Sequence, residues 1–293
     1  MTTSSLSYFS NAFPTETTIN DGNIFRADAS PILPIGSRFM RADGNVYRYA
    51  KMDGAKTLGY LMAPDHSATF MKDSDDVFTC GTAAANSGDG LIGSHYVQLT
   101  KASVTKNQFM GGYLVITGNT GIGYTYRIDS NTATDTPSSG EFRMKLHEPL
   151  QVGLDATSDC AIIGSLYNNL VYADSKVVDD NIVSGVGIAT TTASLMWAYV
   201  QTWGVCAVYM GTAVTGSAGS LCTRIGDQIS LYGSTGAPSG STGYAVTWPP
   251  NLSGTVGLNT LTSNYFNGTY PLGFCLDIGD AGGMTTIYLQ ISA

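Results

Sequence analysis

The sequence predicts an all-β protein, with short antiparallel strands in sandwich- or barrel-like domains and an extended N-terminal arm. β-branched and aromatic runs recur at short intervals, and turn signals rich in Gly, Asn and Asp separate them. No segment of helical period is long enough to build βαβ units. We therefore expect an arm over residues 1–30, a β domain over 31–150 and a second β domain over 151–293.

The N-terminal segment has no sustained periodicity. Residues 1–30 place Phe9, Phe13 and Phe25 among polar residues. Two interpretations fit this pattern, an arm that docks on a neighbouring molecule and a strand of the main domain.

Period-two patterning begins near Gly36. Residues 38–41 and 46–49 flank the dipeptide Asp43-Gly44, which favours a hairpin turn, and a further strand is predicted over 58–62. Strands are also predicted over 113–116, 124–128 and 142–146. In the last two of these, polar residues alternate with apolar ones, which predicts one wet and one buried face; the polar residues are Thr125, Arg127, Arg143 and Lys145.

In the C-terminal half, a helix or an irregular linker is predicted over residues 151–173. Gly153 and Gly164 weaken the helical interpretation, because glycine disfavours a helix interior. Beyond it, strands are predicted over 177–178, 182–183, 195–201, 205–210, 228–232, 244–248, 274–278 and 286–291. The dipeptide Trp203-Gly204 predicts a tight turn, so residues 195–210 are expected to form a hairpin.

Charge is scarce and uneven along the chain. Charged residues make up 12% of it, about half the usual fraction, and twelve of the fourteen Lys and Arg lie between Arg26 and Lys145. Such a surface suits a protein that is packed against others. The net charge of −8 argues against nucleic acid as a partner. The chain has no apolar run long enough to span a membrane and no signal-peptide pattern at Met1, so we expect it to fold in a cytoplasm.

No residue pattern predicts catalysis, a cofactor or a metal site. The chain has no nucleophile elbow, P-loop or zinc-protease motif, and Gly121-Ile122-Gly123 is interpreted as a turn. The histidines His66, His95 and His147 share no ligand spacing. Residues 73–76 are similar to the start of a calcium loop, but Ala84 stands where such a loop needs Glu, so we interpret them, and Asp179-Asp180, as solvated loops. Paired carboxylates on distant strands, as in a β-sandwich hydrolase, have no sequence signature.

Two further residue classes were candidates for function. The cysteines are odd in number and include no C-x-x-C pair, which predicts reduced, unpaired thiols; they are Cys80, Cys160, Cys206, Cys222 and Cys275. The alternative is an intermolecular cross-link through an exposed thiol, for which Cys80 is the first candidate. Aromatic residues of the C-terminal half could form a ligand platform, but core packing is the favoured interpretation; they are Trp197, Tyr199, Trp203, Tyr244 and Trp248.

Three groups of segments have a familiar order along the chain. They are Gly36-Ser37-Arg38-Phe39 with residues 43–49 and 58–61, residues 111–116 and 121–131 with Leu146-His147-Glu148-Pro149-Leu150, and residues 197–204. Together these segments resemble virion structural proteins of tailed bacteriophages, especially marine and cyanobacterial ones. The closing residues 272–276 and 287–289 are similar to the final strands of phage head-decoration proteins.

The resemblance implies a capsid decoration or cement protein without enzymatic activity. Such a protein binds the major capsid protein on the capsid exterior, often as a homotrimer, and needs no cofactor. Because small decoration proteins are usually near half this length, a neck or tail protein is an alternative. A receptor- or glycan-binding adhesin that uses exposed Trp and Tyr is another.

Overall fold

The computed structural model describes residues 24–65, 70–71, 78–79, 88–101, 103–134, 140–173, 182–192, 196–210, 225–226, 228–231, 245–248, 272–277 and 283–291. These ranges contain strands and no helix, and each pairing between the strands is antiparallel, which confirms the predicted all-β class. In chain order the strands are β1 (Arg38–Met40), β2 (Val46–Lys51), β3 (Leu61–Pro64), β4 (Phe70–Met71), β5 (Phe78–Thr79), β6 (Tyr96–Thr100), β7 (Tyr113–Gly118), β8 (Thr125–Asn131), β9 (Glu141–Leu146), β10 (Asp159–Ile163), β11 (Leu170–Tyr172), β12 (Gly185–Gly187), β13 (Trp197–Tyr209), β14 (Gln228–Leu231), β15 (Ala245–Trp248), β16 (Gly273–Cys275) and β17 (Met284–Gln290).

The chain divides into two units, and one is inserted into the sequence of the other. Unit 1 comprises Met1–Pro64 with Leu170–Ala293, and unit 2 comprises Asp65–Asn169. Strands β3 and β11 pair, with Pro64 opposite Leu170, so unit 2 occupies the connection of a hairpin. This division differs from the predicted boundary between residues 150 and 151. The pairing that closes unit 1 joins residues far apart in sequence, and no change in composition marks it.

Unit 1 is built on one sheet with a long central strand. The strand order is β11-β3-β12-β13-β17-β16-β14-β15, while β2 pairs with both β1 and β13. Aromatic rings fill one part of the core: Tyr49 stacks on Trp197 at 5.8 Å and meets the edge of Tyr199 at 5.2 Å. A second part consists of aliphatic residues such as Leu61, Val208 and Ile287.

The predicted hairpin over residues 195–210 is wrong, because residues 197–209 form the single strand β13. Its first half pairs with β2 and its second half with β17, so neither half needs the other as a partner. Gly204 takes a positive φ of 94°, next to a register shift between Gln201 and Trp203. Gly204, which the sequence predicted to lie in a tight turn, therefore lies next to a β-bulge inside a continuous strand.

Residues 151–173 also differ from the prediction, since they contain β10 and β11 instead of a helix. Strand β10 pairs along its length with β7, a partner more than forty residues earlier in the chain. The glycines that weaken a helix are compatible with this arrangement, and buried Cys160 and Ile162 alternate with less buried neighbours. Tertiary pairing therefore decides the conformation of this segment.

Two N-terminal predictions have different outcomes. The hairpin of β1 and β2 is confirmed: Met40 pairs with Val46 across the Asp43-Gly44 turn, where Gly44 has a φ of 86°. Most of the predicted arm, residues 1–23, lies outside the described residues. The described remainder packs on unit 1, since Ile24 is buried and Asp28 exchanges backbone hydrogen bonds of 2.7 and 2.8 Å with Trp197.

Unit 2 is a smaller sheet that curls. Its order is β4-β10-β7-β8-β9-β6, and β5 pairs with β10 yet also lies against β6 at the other end of this order. The wet and buried faces predicted for β8 and β9 are confirmed. Their buried residues join one core that includes Tyr126, Phe142 and Met144.

Candidate functional site

The structure brings none of the predicted metal candidates together among the residues that it describes. His66, residues 73–76 and residues 179–180 lie outside those residues. His95 Nδ1 lies 3.2 Å from the carbonyl oxygen of Leu146, and His147 Nδ1 lies 3.1 Å from Asp129 Oδ1. In the described ranges no three side chains of His, Cys, Asp or Glu are arranged to hold a metal ion.

Two aromatic residues of β13, Trp197 and Tyr199, are core residues, as the favoured interpretation predicts. Trp197 is 6% exposed and Tyr199 is 2% exposed. Trp203 is half-buried and meets Tyr288 edge to face at 6.1 Å. Tyr244 and the side chain of Trp248 lie outside the described residues. The ligand platform that we considered is therefore not formed by Trp197 and Tyr199.

The prediction of unpaired cysteines is wrong at Cys275 and its disulfide partner. Cys160 and Cys206 are buried, and burial raises the pKa of the Cys206 thiol to about 12. Cys275, in contrast, is disulfide-bonded, and its partner lies outside the described residues. Strand pairing brings Cys275 beside a distant segment, since its carbonyl oxygen accepts a hydrogen bond from the Gly226 amide. Sequence spacing cannot reveal such a pair.

The most distinctive surface of the described residues is one end of unit 2, which we call the tip. It consists of the segment before β6 (residues 88–95), the β7–β8 turn (residues 119–124) and the segment before β10 (residues 151–158). Antiparallel pairing places these segments together, because the start of β6, the end of β7 and the start of β8 lie at the same end of the sheet. The chain enters and leaves unit 2 at Asp65 and Asn169, near the opposite end.

Four large apolar side chains are exposed at the tip. Ile92 is 72% exposed and Ile122 is 64% exposed, and Leu91 and Tyr124 are exposed as well. The three tip segments contain no Lys or Arg. A grouped set of exposed apolar side chains, unlike scattered ones, is typical of an interaction surface.

Backbone hydrogen bonds hold the tip segments to one another. The Leu154 amide donates to the Gly90 carbonyl oxygen at 2.7 Å, which joins the segments 88–95 and 151–158. The Gly93 amide donates to Leu150 O at 2.8 Å, and the Leu150 amide donates to Ser94 O at 2.8 Å. The exposed apolar side chains are therefore carried on a fixed backbone.

Side chains tie the β7–β8 turn to the same cluster. Asn119 Nδ2 donates to Thr157 O at 2.6 Å and to Asp159 Oδ2 at 3.0 Å. Thr120 donates to Asp155 Oδ2 at 2.9 Å, and Thr157 donates to Asp155 Oδ1 from both its hydroxyl and its amide. These hydrogen bonds, with those of Thr157 first, lower the pKa of the Asp155 carboxyl below its ordinary value.

A partly buried ion pair anchors the segment before β6. Arg143 on β9 donates from Nε and Nη2 to the two carboxylate oxygens of Asp89, at 2.7 and 2.8 Å. The Asp89 side chain is 4% exposed, whereas that of Arg143 is 38% exposed. The guanidinium also lies 3.8 Å from the centre of the Tyr96 ring. Hydrogen bonding to Asp89 raises the pKa of Arg143, so the guanidinium stays charged.

The sequence contains a signal for the tip that is not a catalytic, cofactor or metal motif. Leu91-Ile92 stands between Gly90 and Gly93, and Ile122 stands between Gly121 and Gly123. Turns usually carry polar residues at such places, so apolar residues between glycines indicate exposed apolar loops. The turn predicted for Gly121-Ile122-Gly123 is confirmed, since it joins β7 to β8.

The chain matches no protein-family model, no curated protein and no solved structure. Within the described ranges, no helix has the length and apolar character needed to cross a membrane.

Proposed function

We propose that this chain is a non-enzymatic structural component of a tailed-phage virion, a capsid decoration or cement protein on the outside of the head. In this proposal the chain folds in the host cytoplasm, associates as a homotrimer and bridges neighbouring capsomers. The tip of unit 2 is the surface that contacts the major capsid protein.

The observation that carries the proposal is the grouping of exposed apolar side chains on fixed loops without Lys or Arg. The buried centre of a protein interface is depleted in charged residues and enriched in apolar and aromatic ones, which matches Ile92, Ile122 and Tyr124. Because hydrogen bonds already fix the loops, docking orders little additional backbone, and more of the contact energy stabilises the complex.

The low charge of the whole chain and its sequence resemblance to virion proteins support the same assignment. A weak contact repeated at every capsomer of a closed lattice gives strong overall attachment, so one small apolar surface per subunit is sufficient. Few desolvated charges then oppose subunit association, since only 12% of the residues are charged.

Immunogold microscopy tests the location on virions of a tailed phage that encodes this chain. We expect regular labelling over the head. Labelling confined to the neck or to the tail tip would contradict the cement role and would favour the tail or adhesin alternative. Light scattering of the purified chain tests the homotrimer, and a strictly monomeric species at micromolar concentration is the contrary result.

A further inference from the structure

Unit 2 also contains an open groove that lies apart from the exposed apolar side chains of the tip. Its volume is about 600 Å³, and its lining comes from β6, β8, β9 and the segment before β7. The lining residues are Tyr96, Lys106, Asn107, Ser130, Asn131, Thr132, Ala133, Arg143 and Lys145. A groove of this size fits a ligand larger than a single phosphate or sulfate ion.

Three cationic side chains line this groove, and one of them has no carboxylate partner among the described residues. Three of the six Lys and Arg of residues 65–169 line it, although the same residues include eleven Asp and Glu. Asp89 offsets the charge of Arg143 through the bidentate pair, and Lys145 Nζ lies 3.5 Å from Asp129 Oδ2. Lys106 has no ion pair among the described residues. The groove therefore favours an anionic group, while the surrounding acidic surface disfavours a long polyanion such as nucleic acid.

One wall of the groove is braced by a buried amide. Asn131 is 3% exposed, and its Nδ2 donates to Thr105 O at 2.8 Å while its Oδ1 accepts from the Phe109 amide at 2.9 Å. These bonds fix the loop that carries Lys106 and Asn107. Asn107 itself has a φ of 61°, a left-handed conformation of the kind that persists where the surroundings hold it.

A β-bulge in β8 shapes another part of the lining. The register shifts between Ile128 and Ser130, so both Ser130 and Tyr96 pair with Lys145 on its two sides. The side chains of Lys106, Asn107 and Ser130 have no hydrogen-bond partner within the part of the chain that the structure describes. An amide and a hydroxyl each donate and accept, which suits the hydroxyl groups of a sugar, and an ammonium suits an acidic substituent.

We propose that this groove binds an acidic saccharide, with Lys106 and Lys145 at the anionic group and Asn107 and Ser130 at neighbouring hydroxyls. The anionic group is a carboxylate or a sulfate ester, which present the same chemistry to an ammonium. The proposal is independent of the cement role, because none of the four exposed apolar residues of the tip lines the groove.

Isothermal titration of the full chain tests the proposal with three trisaccharides of matched length: a galacturonate trimer, a sulfated galactose trimer and a neutral galactose trimer. We expect saturable 1:1 binding of at least one acidic trimer, at least about fivefold tighter than the neutral one and weaker at high salt. Which acidic trimer binds identifies the anionic group. Equal binding of all three, or no binding of either acidic trimer, overturns the proposal.

Variants locate the binding on the chain. Lys106→Gln and Lys145→Gln should each lower the affinity for the acidic trimer roughly fivefold. Arg127→Gln removes a charge from the same unit outside the groove, and it should leave this affinity unchanged. If Arg127→Gln lowers the affinity as much as the two lysine variants do, the ligand binds outside the groove. If inorganic sulfate displaces the trimer at equal concentration, the groove is a simple anion site, and this result also overturns the saccharide assignment.

Discussion

Arg143→Ala is expected to destabilise unit 2 and to release the segment before β6. The substitution leaves the Asp89 carboxylate, which is 4% exposed, without its two donors at 2.7 and 2.8 Å. Breaking a fully buried pair costs about 3–5 kcal/mol. Because the Arg143 side chain is 38% exposed, water screens the pair, and we expect a loss of about 2 kcal/mol.

Amide hydrogen exchange measures this loss within unit 2 itself. The amides of Val97 and Leu99 report the unfolding of β6, and the Gly90 amide, which donates to Tyr96 O at 2.8 Å, reports the anchored segment. We expect protection of all three to fall, with the Gly90 amide affected most. Arg127→Ala, an exposed change on the neighbouring strand, should stay within about 0.5 kcal/mol of the parent. Equal protection in Arg143→Ala and Arg127→Ala would refute the anchoring role of the ion pair.

Three further outcomes follow from the described side chains. Trp197→Ala empties a buried aromatic site of unit 1 and should cost about 3–5 kcal/mol in chemical denaturation, so an unchanged midpoint contradicts its core position. Thiol titration of the denatured, unreduced chain should find at most three of the five cysteines, because Cys275 is disulfide-bonded, and Cys206 should resist labelling at pH 8 in the native chain; five titratable thiols contradict this. Folding lowers the pKa of Asp155, so the stability that its ionised carboxylate contributes is present above the ordinary Asp pKa of about 3.9 and is lost as the pH falls through the pKa of the folded state. In NMR titrations, the Thr120 and Thr157 signals should shift as Asp155 gains its proton, and Asp155→Asn should abolish that shift. An unchanged shift in Asp155→Asn contradicts the assignment.

The fold class was predictable because its signals are local. Alternation of polar and apolar residues located β8 and β9, and the Asp43-Gly44 dipeptide located the hairpin of β1 and β2. Each of these signals depends on residues within one strand or one turn, where backbone preference and burial agree.

The errors concern pairings between residues far apart in sequence. Strand β10 exists because β7 is its partner, and β13 continues through Gly204 because β2 and β17 pair with its two halves. The insertion of unit 2 between β3 and β11 and the disulfide at Cys275 have the same origin. No local pattern encodes a partner that lies forty or more residues away.

The candidate surfaces were predictable only in part. Apolar residues between glycines could have revealed the tip, and the alternation of Arg143 with Lys145 did predict a wet face. The fold of the loops over the sheet brings Arg143 to Asp89. It also places Lys145 and Lys106 in one groove. Such assembly follows from the tertiary structure alone.

The central claim is that the tip contacts the capsid, and cosedimentation with phage heads that lack this chain tests it most directly. The variant Ile92→Ser/Ile122→Ser removes two side chains that are 72% and 64% exposed, and Ile163→Ser, which alters an exposed isoleucine at the opposite end of unit 2, is the matched control. Burying an isoleucine contributes about 1.5–3 kcal/mol, so the double variant should bind heads at least about tenfold more weakly, while the control binds like the parent. Equal binding of the parent and the double variant would contradict the assignment of the tip as the docking surface.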